Sequence, residues 1–526
     1  MKSLAPLLSI IALVCGLVGC SGGGGSSGGG SASDFAVSTT AADFGVVGNA
    51  YTATLAVTGG TAPFTWTLFG GVLPAGLSLN PGTGVVSGIP TTVETPTAVF
   101  TVTDNTGKTA TGSVLFAVHP RTDRASVTGS GAAGSGASST PSMNSDGSLV
   151  AFISQSTNFV PGVSGSQIYV HNRQTNQIEV VSRDSDASVI NEGGGTSSDP
   201  SISSDGRLVA FVSLSSNLVA SVSGQQIYVR DRQTGHTTVV SKSSAGTIGD
   251  GTSNAPAISA DGRYVAFASA STNLVFGVSG TQIYVHDRQT DQTTLISKDN
   301  NVTPVPGNGV SATPAISATG QFVAFASLST NLGAAGGNQQ IYLHDRLTGA
   351  NGTTSLVSKD SVPTAGNGNS STPSISGDGR FVAFVSGATN IVTGFSGQQV
   401  YVHDRNTGAN GTNSLISRDN SGTPNAGNQN SSAPSISSDG RYVAFTSLAT
   451  NLETGVSGQQ IYRHDRNGPT TSLVSRDNTV SLVEGNASSE APSISGNGAF
   501  IAFTSQASNL LAGGVAPSDI YIRALP

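Results

Sequence analysis

From residue 141 to the C-terminal end, short runs of apolar residues alternate with polar ones and recur with a fixed period. One copy shows the pattern. Tyr264-Val265-Ala266-Phe267-Ala268-Ser269 is followed by a polar loop, then Gln282-Ile283-Tyr284-Val285-His286-Asp287, then Thr294-Leu295-Ile296-Ser297. Runs of this length bounded by Gly, Asn and Asp predict β-strands. Each copy opens on a proline. Pro141, Pro200, Pro256, Pro314, Pro373, Pro434 and Pro492 are spaced by 59, 56, 58, 59, 61 and 58 residues, so there are seven copies. Each reads as four strands, a to d, with a tight Asp-Gly turn between a and b, which is a strong hairpin signal. A long period made only of strand patterns predicts a propeller rather than a helical solenoid. The last copy stops after its third strand at Tyr521-Ile522-Arg523-Ala524-Leu525-Pro526, while an orphan strand-like segment, Arg124-Ala125-Ser126-Val127, precedes the first. That segment is expected to complete the seventh blade and so remove an open sheet edge.

Residues 35–118 carry a different pattern. Tyr51-Thr52-Ala53-Thr54-Leu55-Ala56-Val57 and Val99-Phe100-Thr101-Val102-Thr103 alternate, and Gly59-Gly60, Gly70-Gly71, Pro81-Gly82 and Thr106-Gly107 punctuate them. The run from Ala62 to Thr91, APFTWTLFGGVLPAGLSLNPGTGVVSGIPT, and the ending VTDNTGKTAT resemble the immunoglobulin-like domains of bacterial surface proteins. The resemblance implies a small β-sandwich with Trp66 in its core. Such domains are related to calcium-binding cadherin repeats. The acidic clusters that hold calcium there are missing here, with only Asp104 and Glu94 nearby, so no calcium site is expected. The repeats themselves, over about 125–526, resemble the TolB-like propellers of bacterial envelopes through S-x-D-G-R-x-V-A-F and I-Y-V-x-D-R-x-T-G. TolB has an α/β domain ahead of its propeller, a place taken here by the immunoglobulin-like segment. The expected fold is all-β: an immunoglobulin-like sandwich over 35–118, then a seven-bladed propeller of four-stranded blades over 119–526.

The first 34 residues are of another kind. Lys2 followed by the short apolar run Leu7–Val18 reads as an export signal, too short to span a bilayer stably. Leu17-Val18-Gly19-Cys20 resembles a lipobox, which implies a signal peptide over 1–20, a lipid on Cys20 and, with Ser21 next, sorting to the outer membrane. Residues 21–34 form a Gly/Ser tether with a root-mean-square span of roughly 20 Å. Cys15 and Cys20 are the two cysteines of the chain, so the processed protein has no pair for a disulfide. Ten per cent of residues are charged and the formal net charge is −7, without the clustered Lys and Arg that nucleic acid requires.

Candidate chemistry is thin. Five histidines, His171, His286, His344, His403 and His464, share one repeat position, with Arg230 and Arg523 as substitutes. One histidine per blade cannot converge on a metal ion, so these read as blade-packing residues, and neither metal nor cofactor is expected. The Asp of the a–b turn (Asp146, Asp205, Asp261, Asp378, Asp439) reads as an Asx-type turn former. The recurrent Asn (Asn158, Asn217, Asn273, Asn331, Asn390, Asn451, Asn509) reads as a loop-fixing residue, and pairs such as Asp287-Arg288 as solvated turn ends. Gly129–Gly134 matches G-x-G-x-x-G but opens no helix. No G-x-S-x-G is present.

Loop length is more informative. The b–c and d–a loops are long and emerge on one face, where binding residues collect. Departures from the repeat there give the candidate ligand face: Asn191, Glu192 and Asp199 before blade 2, Asp250 before blade 3, Glu484 and Glu490 before blade 7, and Phe276 and Phe395 in b–c loops. With no convergent acid, base or nucleophile set, the expectation is a non-catalytic lipoprotein that binds an envelope protein or a glycan. The alternative is a propeller-type polysaccharide lyase or glycoside hydrolase using two of those carboxylates.

Overall fold

The computed structural model describes residues 35–525 apart from 43–44, 186–191, 334–336, 361–363, 396, 409, 422, 424, 479–482 and 512–516. The signal segment, Cys20, the tether and Asn191 lie outside the described residues. The described chain is all-β. Seven four-stranded antiparallel sheets are the blades of a propeller, and we number them from the one that opens at Ser138. Blade 3 is typical, with a at Ser253–Ile258, b at Tyr264–Ser269, c at Gln282–Asp287 and d at Gln292–Leu295. Strands b and c pair without a break, from Tyr264 opposite Asp287 to Ser269 opposite Gln282.

The innermost strand is irregular in every blade. Proline has no N–H to give to a ladder, so the chain bulges around it; in blade 3 the register shifts between Asn254 and Ala257. The residue before each proline is left-handed, with φ of 46–51° at Thr140, Asp199, Ala255, Thr313, Thr372, Ala433 and Ala491, none of them glycine. The short loops below the bulges form a girdle. Backbone N–H groups of Ser145, Ser204, Ala260, Ala318, Gly377 and Ser438 each donate to the carbonyl of the corresponding residue one blade on, and Asn497 donates to Ser145, all at 2.9–3.1 Å. This closed circle of seven bonds surrounds the axis.

Each core lies between two blades, not within one. Leu149, Ala151, Ile168 and Val170 of blade 1 pack with Val209, Phe211 and Tyr228 of blade 2, and the pattern repeats around the ring. The seam between blades 7 and 1 is closed by an N-terminal strand, as expected, but its register begins earlier than the segment 124–127. Thr122, Asp123 and Arg124 pair with Arg523, Ile522 and Tyr521. Val127 turns away to bridge Ala133. The seam also has its own polar lock. Asp519 stands where other blades have a Gln, accepts from Ser126 Oγ at 2.7 Å, and lies 3.4 Å from the buried Arg124 guanidinium.

The repeated histidines tie neighbouring blades. His286, His344 and His464 meet the hydroxyls of Thr293, Thr354 and Thr471 at 2.9 Å. Those hydroxyls donate to carbonyls of Lys242, Lys298 and Arg418 in the preceding blade. Each imidazole is therefore the Nδ1–H donor. Arg230 and Arg523 donate to Thr237 and Thr122 in the same way.

The Asp-Arg pairs are not solvated turn ends. Asp231, Asp287, Asp404 and Asp465 are held two-pronged by Arg207, Arg263, Arg380 and Arg441 of the a–b turns, at 2.6–3.0 Å. The neighbouring Arg lies inward because its stem covers the preceding blade. Arg346, Arg405 and Arg466 stack on Tyr264, Phe322 and Phe381, 3.9–4.4 Å from the ring centroids.

The N-terminal sandwich holds two three-stranded sheets, with Trp66 buried between them. Its acids are structural: Asp104 accepts from Thr61, Thr106 and Lys108, and Glu94 from Ala75 and Thr92. It docks on the short-turn face of the propeller. Val46 enters the core of blades 7 and 1, and Gln174 of a c–d turn donates to the Ala42 carbonyl at 2.9 Å. Phe35 stacks on Phe64 beside the Thr61–Asp104 turn, at the other end of the strand Thr109–Leu115. Seven residues of strand set the two ends about 20 Å apart.

Burial pushes the imidazoles of His286, His344, His403 and His464 down to about 4. Their folded-state pKa lies below the unfolded value, so the stability they contribute is present above about pH 6.5 and lost as pH falls towards 4, at most about 3 kcal/mol per site. Urea midpoints are expected to fall steeply between pH 6.5 and 4.5, and the slope to flatten in a variant with all four changed to Gln. Equal slopes in the two proteins would contradict this assignment.

Candidate ligand face

The long loops share one face, and the repeated Asn orders it. In all seven blades the b–c Asn accepts a backbone N–H of the incoming d–a loop through Oδ1 at 2.8–3.1 Å. Its Nδ2 donates to a carbonyl two residues earlier in that loop, at 2.7–3.0 Å. The loop-fixing role read from the sequence is what the geometry shows. The face is a pre-formed surface whose loops are pinned inside the chain.

The candidate residues separate into three groups. Asp250, Glu484 and Phe395 are internal fixings, not free ligand groups. Asp250 accepts from both the N–H and the hydroxyl of Thr272 at 2.7 Å, and those bonds lower its pKa. Glu484 accepts from the N–H and hydroxyl of Ser457, both at 3.1 Å. Phe395 packs on the core between blades 4 and 5. Glu192 is half-buried, and its carbonyl takes the Asn217 clamp at 2.8 Å.

Asp199 and Glu490 form the second group, and the structure corrects their place. They lie not in the d–a loops but in innermost strands, Ser197–Ile202 and Ser489–Ile494, beside the bulges that face the axis. Blades 2 and 7 flank blade 1, so the two carboxylates come from neighbouring parts of the ring. Asp199 reaches water, yet the surrounding walls raise its pKa against the bond from Ser198. The third group is Phe276, whose side chain stands wholly clear of the protein at a b–c loop tip.

Sequence reading missed a further set. The residue after strand b donates back to the residue before strand a in every blade. It is Gln155, Leu214, Ala270, Leu328, Gly387, Leu448 and Gln506 in turn. In blades 2, 4 and 6 it is therefore an exposed leucine beside the axial mouth, and Val310, the partner of Leu328, is exposed with it. The signal was present as Leu after the strand-b Ser in alternate copies.

Residues 34–119 match the family model described as "Putative Ig domain". No curated protein matches the chain. A TolB structure from Agrobacterium tumefaciens is 16% identical, with 68% of this chain and 98% of that one covered and a TM-score of 0.36. The propeller of the Trilobed protease from Pyrococcus furiosus is 13% identical, with 70% and 89% covered and a TM-score of 0.41. A prolyl endopeptidase is 12% identical, with 74% and 50% covered and a TM-score of 0.46.

Substitution should separate fixings from free groups. Asp250→Ala is expected to lower the urea midpoint and to speed amide exchange at Thr272, because the loop loses its bonds to Thr272. Phe276→Ala and Glu490→Gln should stay within about 0.5 kcal/mol of the parent in urea unfolding.

Proposed function

We propose that this is a non-catalytic envelope lipoprotein whose long-loop face binds a protein or glycan partner. Cys20 anchors it in the outer membrane, the tether and sandwich set it off the bilayer, and the propeller displays the pinned loops. The observation that carries the reading is the set of exposed apolar side chains on that face, Leu214, Leu328, Val310 and Leu448 near the axial mouth and Phe276 at a tip. An exposed apolar residue in every second blade around one mouth suits a surface that a partner covers. Orientation supports it. Phe35, where the tether joins, lies at the sandwich end remote from the propeller, and the sandwich holds the short-turn face. The long-loop face is thus left free, directed away from the anchor.

A second reading rests on Asp199 and Glu490. One carboxyl with a raised pKa and a second carboxyl, both carried on innermost strands, are the components of a glycosidase or lyase pair.

The full mature chain, in detergent, serves as bait for solubilised envelope proteins and cell-wall glycans. Capture of one defined partner, lost in a Leu214→Ser, Leu328→Ser, Leu448→Ser variant, is the expected result. Shortened glycan products that disappear in Asp199→Asn or Glu490→Gln would replace it with the enzyme.

A further inference from the structure

On the opposite face, six blades carry the Arg that follows the repeated Asp or Asn, and each reaches towards the first residue of strand b in the preceding blade. Four have a ring beneath them: Arg173 on Phe500, Arg346 on Tyr264, Arg405 on Phe322 and Arg466 on Phe381. Arg232 meets Leu149 instead, but pairs with Glu179 of the neighbouring d strand. Arg288 has neither. The residue below it is Leu208, and the position of Glu179 is taken by Thr238, as the matching registers opposite Val170 and Val229 show.

The missing ring leaves space. A cavity of about 400 Å³ opens at this seam, floored by Leu208 and walled by Arg207, Arg263, Arg288, Asp231 and Asp261. Among the described residues the Arg288 guanidinium makes one hydrogen bond, from Nη1 to the Gly262 carbonyl at 2.8 Å, which leaves Nε and Nη2 without a partner there. Arg207 and Arg263 give Nε and Nη2 to Asp231 and Asp287, leaving each Nη1 unused. With Asp287 behind Arg263, three guanidiniums meet three carboxylates, and Arg288 is the guanidinium of the three that no carboxylate holds two-pronged.

We infer that this seam is a binding site for the carboxylate of an acidic sugar. A guanidinium edge with two free donors matches a planar carboxylate. Asp261 offers an acceptor to sugar hydroxyls beside it, and Leu208 an apolar floor for the ring. The site lies on the face opposite the long loops and does not depend on the partner proposed there.

The molecule supplies its own controls. Leu208→Tyr rebuilds the ring of blade 3, and Thr238→Glu rebuilds the pair of blade 1, so both variants reproduce arrangements the fold already holds. Arg288→Gln removes the fork. Calorimetric titration of the full-length protein with a uronic-acid hexasaccharide, a neutral hexasaccharide and inorganic phosphate is the test. The acidic sugar should bind, weaken with added salt, and lose at least tenfold in affinity in all three variants. No binding of the acidic sugar, equal binding of the neutral one, tighter binding of phosphate, or indifference to Leu208→Tyr would each overturn the inference.

Discussion

The seam between blades is the interaction on which this molecule depends. Its hydrophobic clusters join neighbouring sheets, so each blade has two half-cores and no whole one. A single four-stranded sheet could not bury both of its faces alone. Stability therefore comes with closing the circle. Thr122–Arg124 is three residues long, yet it completes blade 7 and ties the start of the propeller to its end. The Arg124–Asp519 contact belongs to that seam because both residues depart from the repeat together. A guanidinium replaces an outer-strand Val or Leu, and a carboxylate replaces the Gln. A buried charge without its counter-charge is strongly unfavourable, which favours this strand over any other in the last blade.

Much of this was legible, and its limits have physical causes. Strand order, blade count and N-terminal closure follow from a period and a missing fourth strand. The Asx turns and Asn clamps followed from asking why one polar residue recurs at the same place, the Asp in five copies and the Asn in all seven. The Asp-Arg dipeptide was misread because neither partner is near in sequence: Asp287 meets Arg263 across two strands, and Arg346 meets Tyr264 across two blades. Asp199 was assigned to a loop because a proline follows it. In fact the bulge admits both into strand a, with Asp199 left-handed.

The candidate face was legible only by its location. Loop length showed which side is elaborated, but not which acids are free. Asp250 and Glu484 look as available in the sequence as Glu490, and only their bonds to Thr272 and Ser457 distinguish them. The exposed leucines were overlooked for the opposite reason. Leu214 follows a strand whose residues are all buried, and an apolar residue at a strand end is ordinarily read as its continuation.

A repeat protein carries a reference within itself, and this changes what a departure means. In an unrepeated fold, Leu208 beneath Arg288 would be unremarkable. Here four sister positions show a ring and a fifth shows a carboxylate doing the same task, so the empty seam is measurable against its neighbours. The same comparison discounts the left-handed residues around the axis. Backbone strain often marks function, but a feature shared by all seven blades follows from the proline that opens each copy. What distinguishes one blade from the rest is therefore the better guide to function, and the features common to all seven are the better guide to how the ring holds.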